Sequence, residues 1–169
     1  MAEEKPPAPV ANPALLALRD QIDALDSQLL RLLNERAHVA EQVGEVKRRE
    51  GTPFFRPDRV AQVIDKITQA NPGPLKNEHV ASIWREIMSA CRSLETPTRV
   101  AYLGPAGTFS ELAALGYFGS SIDKVPCVSI DEVFRATSAG AADFGVVPVE
   151  NSTEGVVARS LDLLLNTPL

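Results

Sequence analysis

Ten positions spaced alternately three and four residues apart constrain this chain more than any other feature. Leu15, Leu18, Ile22, Leu25, Leu29, Leu32, Arg36, Val39, Val43 and Val46 follow one another at those steps, the mark of one apolar seam along an α-helix. The seam predicts a continuous helix from about residue 14 to about residue 50, stopped by Gly51-Thr52-Pro53. Roughly 37 residues at a rise of 1.5 Å make a rod about 55 Å long. A compact domain of about 85 residues is only about 30 Å across. Shorter helices of the same chain cannot cover the whole seam. A second copy is therefore expected to cover the remainder in an intertwined homodimer; a helix that breaks near Gly44 is the alternative.

Two more helices follow. Val60, Val63, Ile64 and Ile67 share one face of a helix over about residues 57–70, with Pro57 in its first turn. After the breaker Asn71-Pro72-Gly73-Pro74, Asn77 is expected to cap a third helix that turns Val80, Ile83, Trp84, Ile87, Met88, Cys91 and Leu94 inward. Thr96-Pro97-Thr98 reads as a linker, and beyond it the pattern changes. Short strands are expected at 99–103, 125–128 and 144–149, separated by a helix that follows Gly107 and runs to about Phe118 and by one that ends at Gly140, with a further helix from about Gly155. Ser129 with Glu132 makes a capping box for the second of these. That βαβαβα order implies a parallel sheet. The division expected is a disordered Pro/Ala-rich lead over 1–13, an all-α three-helix domain over 14–95, a linker over 96–98 and an incomplete α/β lobe over 99–169.

Composition removes several functions. The chain has 169 residues, 44% of them hydrophobic, and a formal charge of −5, so nucleic acid is not expected as a partner. The charge divides at the same boundary, being balanced over 14–95 and net negative over 96–169. Cys91 and Cys127 make neither a disulfide framework nor metal-ligand spacing, so no metal is expected. No apolar run is long enough to span a bilayer, and the acidic, proline-rich start is unlike a signal peptide. A soluble cytoplasmic protein without a membrane partner is the expectation.

Arg36 breaks the apolar seam, and an unpaired buried cation there would cost several kcal/mol. Lys47 lies eleven residues on, about three turns, and faces nearly the same way. In the bland reading Arg36 pairs with Glu35 or Glu41 and Lys47 opens a solvated run, Lys47-Arg48-Arg49. Two aligned cations, with Glu95 approaching from the third helix, favour an internal site for an anionic ligand. At these residues the sequence resembles the helical chorismate mutases, and in particular the mutase part of the bifunctional chorismate mutase–prephenate dehydratases. The likeness runs from Leu16-Ala-Leu-Arg19 through Arg36 and Val43-Gly-Glu-Val-Lys47 to Arg56-Pro-Asp-Arg59 and the third helix.

That resemblance implies a rearrangement of chorismate, a dianion, to prephenate in phenylalanine biosynthesis, with no cofactor. Arg36 and Arg19 would clamp the two carboxylates, Arg19 coming from the partner chain. Lys47 would donate to the ether oxygen and a carboxylate, Arg59 would support the network, and Cys91 would lie near a carboxylate. Glu95 would face the ether oxygen, as a donor only when protonated, so acid conditions should favour activity. Val60 stands where the family usually has an acid for the ring hydroxyl.

The second part resembles the opening of prephenate dehydratase. Ala101-Tyr-Leu-Gly-Pro-Ala-Gly-Thr-Phe-Ser110 and Val146-Val-Pro-Val-Glu-Asn-Ser-Thr-Glu-Gly155 carry the likeness. It implies a periplasmic-binding-protein-like fold in which Thr108, Ser110, Glu150, Asn151 and Ser152 would bind prephenate. Each string places small residues and hydroxyls at a strand end, where free amides could receive carboxylates. The family's Thr-Arg-Phe signature and regulatory domain would lie further along, so this lobe is expected to be inactive alone. The other class of function is a non-catalytic helical dimerisation or ligand-sensing module.

Overall fold

The structure, a computed structural model, describes residues 12–152 and 155–168. The expected lead lies outside the described residues as far as residue 11, as do Thr153 and Glu154 of the second dehydratase-like string. Pro13 already belongs to the first helix, α1, which runs unbroken over Pro13–Glu50. There is no break at Gly44. The chain divides into two units between His38 and Val39, inside α1.

In the first unit Leu18, Ile22, Leu25, Leu29 and Leu32 are 51–58% exposed, and in the second Val39, Val43 and Val46 are 43–59% exposed. This chain leaves its own seam open to solvent. Glu35 pairs with Arg31 at 2.6 Å, one turn away, so the reading in which it answers Arg36 is not what the fold adopts.

The second unit begins with the end of α1, where Gly44 is buried. A Cβ there would lie 2.9 Å from both Cβ and Cγ of Glu95. The absent side chain is what admits the end of α3 (Asn77–Glu95) against α1. Helix α2 (Pro57–Gln69) turns Val60, Val63, Ile64 and Ile67 to its half-buried face, as its spacing predicts, and packs on α3.

Helix α3 departs from its apolar pattern. Val80 and Cys91 are buried, but Ile83 and Leu94 are about half exposed, whereas Ser89 and Arg92 are buried. The reason is the surface α3 meets: Ser89 Oγ accepts the Ser121 N–H at 3.2 Å, and Arg92 Nη2 donates to the Phe118 carbonyl at 2.6 Å. Asn77 does not cap the helix. Lys76 holds that position without a side-chain cap, and the Asn77 amide oxygen accepts from Asn71 at 2.8 Å.

The α/β part builds a three-stranded parallel sheet in the order β2-β1-β3, with β1 at Arg99–Leu103, β2 at Asp123–Cys127 and β3 at Phe144–Val146. Val100, Ala101 and Tyr102 of the central strand are buried, as a strand covered on both faces requires. Helix α4 (Phe109–Phe118) follows β1 and is capped by Thr108, and α5 (Ile130–Ser138) follows β2 and is capped by Ser129, as the capping box predicts. The third strand is shorter than expected, and the chain does not pass from it straight into a helix. Glu150–Asn151 (β4) pairs antiparallel with Gly155–Val156 (β5), and α6 starts only at Ala158.

Replacing glycine by alanine inside a helix ordinarily gains about 1 kcal/mol. At Gly44 the new methyl would meet the root of the Glu95 side chain, and overpacking costs typically about 1–3 kcal/mol. Gly44→Ala is therefore expected to lower the melting temperature rather than raise it, as measured by thermal unfolding of the two proteins side by side.

Candidate functional site

Lys47 is the centre of the site. It lies in the last turn of α1, three residues beyond Gly44, where the close approach of α3 brings Glu95 to it. Lys47 Nζ donates to Glu95 Oε2 at 3.0 Å, with the two side chains 22% and 8% exposed. A second N–H goes to the Phe54 carbonyl at 3.0 Å, and the ammonium stands 5.9 Å from the centre of the Phe54 ring. An ammonium has three N–H donors. Two are used within the chain, which leaves one for a ligand.

Cys91 lies one turn before Glu95 on α3 and is buried as a free thiol. Arg59, on α2, is exposed and among the described residues its side chain reaches Gln62, at 3.5 Å. Arg19 and Arg36 belong to the first unit, Arg19 exposed and Arg36 half-buried on α1. Within the second unit, then, the fold joins Lys47 and Glu95 directly. Val60 is half-buried against a cluster formed by Phe55, Val100, Ala114, Phe118 and Ile122, a packing role that suits valine.

Sequence reasoning did not find the parts that surround this pair. Phe55, in the loop after α1, is 8% exposed and packs its ring 5.0 Å from that of Phe118 and 5.3 Å from that of Phe144. The Arg92 guanidinium lies over it at 4.6 Å, and Arg92 Nε donates to Thr98 Oγ1 at 3.3 Å. Burial pushes the Arg92 pKa down, and the Glu95 charge opposes this only in part. The only signal in the sequence was an arginine on a face otherwise read as apolar.

The dehydratase-like residues fall in two groups. Thr108 and Ser110 stand at the start of α4, where Thr108 Oγ1 donates to the Leu103 carbonyl at 3.0 Å and accepts from the Glu111 N–H. Glu150, Asn151 and Ser152 are exposed on and just after β4. The Gly104–Gly107 turn offers less than expected to an anion. The Gly104 amide donates to the Cys127 carbonyl, and the Gly107 amide to the Glu111 carboxylate. The Gly107 amide, and after it Lys124 at 2.9 Å, hold Glu111 below the usual carboxylate range. Among the described residues no cluster of three or more His, Cys, Asp or Glu could hold a metal ion, and no helix is long and apolar enough to cross a membrane.

Comparison with known proteins assigns the two parts. Residues 18–96 match the family model for chorismate mutase type II, and residues 100–169 match that for prephenate dehydratase. A bifunctional chorismate mutase/prephenate dehydratase of Pseudomonas aeruginosa is 54% identical over 156 residues, which is 89% of this chain and 43% of that protein. One from Aquifex aeolicus is 45% identical over 157 residues, 90% of this chain and 43% of that protein. This chain thus spans less than half the length of these curated relatives. Among solved structures, the chorismate mutase (form II) of Thermus thermophilus is 32% identical, covering 48% of this chain and 93% of its own, with a TM-score of 0.48. The chain is thus similar to the bifunctional chorismate mutase/prephenate dehydratases, its helical part matching the family model of the mutase and its α/β part that of the dehydratase.

Proposed function

We propose that residues 14–95 form a chorismate mutase domain, joined by 96–98 to the opening of a prephenate dehydratase domain over 99–169, in a cytoplasmic homodimer. The observation that carries the mutase reading is the half-buried Lys47 ammonium with one N–H to spare beside Glu95. The rearrangement is intramolecular: one carbon–oxygen bond breaks as one carbon–carbon bond forms, and neither nucleophile nor metal is needed. Catalysis rests on holding the diaxial conformer and meeting the charge that grows on the ether oxygen. Lys47 shares its remaining N–H between that oxygen and a carboxylate. Arg36 and the partner chain's copy of Arg19 clamp the two carboxylates, with Arg59 and Cys91 beside them.

The exposed seam of α1 favours the intertwined dimer, since a row of leucines left in water would favour association. The dehydratase-like part is read as one lobe of a periplasmic-binding-protein-like fold, with Thr108, Ser110, Glu150, Asn151 and Ser152 on one wall of a prephenate site. The 169-residue polypeptide by itself is expected to form no phenylpyruvate from prephenate.

Loss of chorismate absorbance with the purified protein tests the activity. No loss would favour the non-catalytic dimerisation module instead. Lys47→Ala should reduce kcat by about a hundredfold or more, the usual effect of removing a donor to developing negative charge. Mixing Arg19→Ala with Arg36→Ala chains should restore activity in heterodimers whose sites combine two intact arginines. No recovery after verified subunit exchange would sink the shared site.

Glu95 sets the charge beside the ether oxygen. Paired with Lys47, its carboxylate stands next to the dianion and opposes the growing ether charge. Glu95→Gln keeps an oxygen to accept from Lys47 and adds an N–H donor, so it should raise kcat/KM at neutral pH. An unchanged kcat/KM would show that Glu95 does not face the ether oxygen.

A further inference from the structure

We propose that Phe55 is a positioning residue through which the dehydratase-like lobe holds Lys47 of the mutase site in place. This inference rests on the mutase reading for its catalytic consequence, while its structural claim concerns Lys47 alone. The loop from Gly51 to Arg56 has two attachments on adjacent residues. Phe54 presents its carbonyl to Lys47 Nζ at 3.0 Å. Phe55 is sunk into the lobe's aromatic cluster, against Phe118, Phe144 and, at 6.0 Å, Tyr117. The Phe54 carbonyl belongs to the rigid peptide plane that ends on the Phe55 Cα. Anchoring Phe55 fixes that end of the plane and holds the Phe54 carbonyl within reach of Lys47.

A second path leads to the same lysine. The face of Phe55 carries the Arg92 guanidinium, which donates to the Phe118 carbonyl of the lobe. Arg92 stands three residues before Glu95 on α3, and Glu95 is the other partner of Lys47. The contacts close a ring from Lys47 through Phe54 and Phe55 to Arg92, along one turn of α3 to Glu95, and back to Lys47. Both groups that orient the ammonium are thereby tied to residues 99–169. Val60, packed on the same cluster, holds α2 to it as well.

The full chain is compared with Phe55→Ala, with Phe55→Leu, which keeps an apolar anchor, and with Val133→Ala. Val133 belongs to the lobe's other apolar cluster, with Ala101, Cys127 and Ala142, and so reports loss of stability alone. Two readouts are taken: kcat and KM for chorismate, and the acylation rate of Lys47 relative to exposed Lys76, followed by mass spectrometry. Phe55→Ala is expected to lower kcat by about tenfold with KM changed less than about twofold, the pattern of a displaced catalytic group. It should also speed Lys47 acylation several-fold. Phe55→Leu should recover most of both, and Val133→Ala should move neither. Should Phe55→Ala fail to fold, Phe55→Val takes its place: Lys47 acylation faster than in Phe55→Leu supports the proposal, and acylation at the wild-type rate overturns it. Equal effects of Phe55→Ala and Val133→Ala would also overturn it. Were the wild-type chain to leave chorismate unchanged, the mutase reading would fall. Faster Lys47 acylation in Phe55→Ala would still support the positioning, and an unchanged rate would overturn it.

Discussion

The contact between Gly44 and the root of the Glu95 side chain is the constraint on which the rest of the site depends. With a Cβ at position 44, α3 could not come within its present distance of α1. Without that approach Glu95 would not reach Lys47, and the ammonium would lose its charged partner. The pair is largely withdrawn from water, with side chains 22% and 8% exposed. A buried ion pair of this kind is worth little as a source of stability, yet removing one member costs about 3–5 kcal/mol, because the other is left uncompensated. Such a pair fixes geometry rather than adding stability.

Helix α3 serves two surfaces. Cys91 and Glu95 belong to the mutase-like side, whereas Glu86, Ser89 and Arg92 meet the α/β part. The Glu86 carboxylate accepts from the Ser120 amide and hydroxyl, and Ser89 lies under Gly119, whose φ of +83° and lack of Cβ both suit glycine. A Cβ on residue 119 would lie 2.4 Å from that of Ser89, so the turn and the helix are fitted to each other. Each buried polar group on this face has a named partner, as buried polar groups must. Around Phe55 the aromatic rings add burial of about 1.5–3 kcal/mol per large side chain. The guanidinium over the ring contributes on the order of 1–2 kcal/mol where it is desolvated. These terms bind the helical and α/β parts of the second unit into one body.

Much of the fold was legible because it follows from local chemistry. The alternating three-and-four spacing from Leu15 to Val46 requires a helix of that length, and α1 is continuous over it. Ser129 and Glu132 are three residues apart, which is the reach of an N-cap, and the cap forms; the Glu132 carboxylate, however, accepts from the Val128 amide. Strands alternating with helices imply a parallel sheet, and β1 to β3 form one. The alignment of Lys47 on the seam was likewise a matter of helical geometry. The hairpin of β4 and β5 was missed because two-residue strands leave no periodicity to read. Asn77 was misread as a cap because the helix-start signal ignores a competing partner, here Asn71.

By itself the sequence determined much of the local order: the long helix, the two that follow it, the alternation of strands and helices beyond residue 98, and that a long apolar seam needs covering. It also carried the residue types that an anionic ligand requires. Only the tertiary structure decided which of those groups meet. Glu95 lies 48 residues from Lys47 along the chain, and Phe118 lies 26 from Arg92. No periodicity records such distances. A polar residue on an apolar helix face reads as an anomaly until the carbonyl that satisfies it is in view. The physical reason is that hydrophobic spacing is a property of one element, whereas the partner of a buried charge is chosen by how two elements pack.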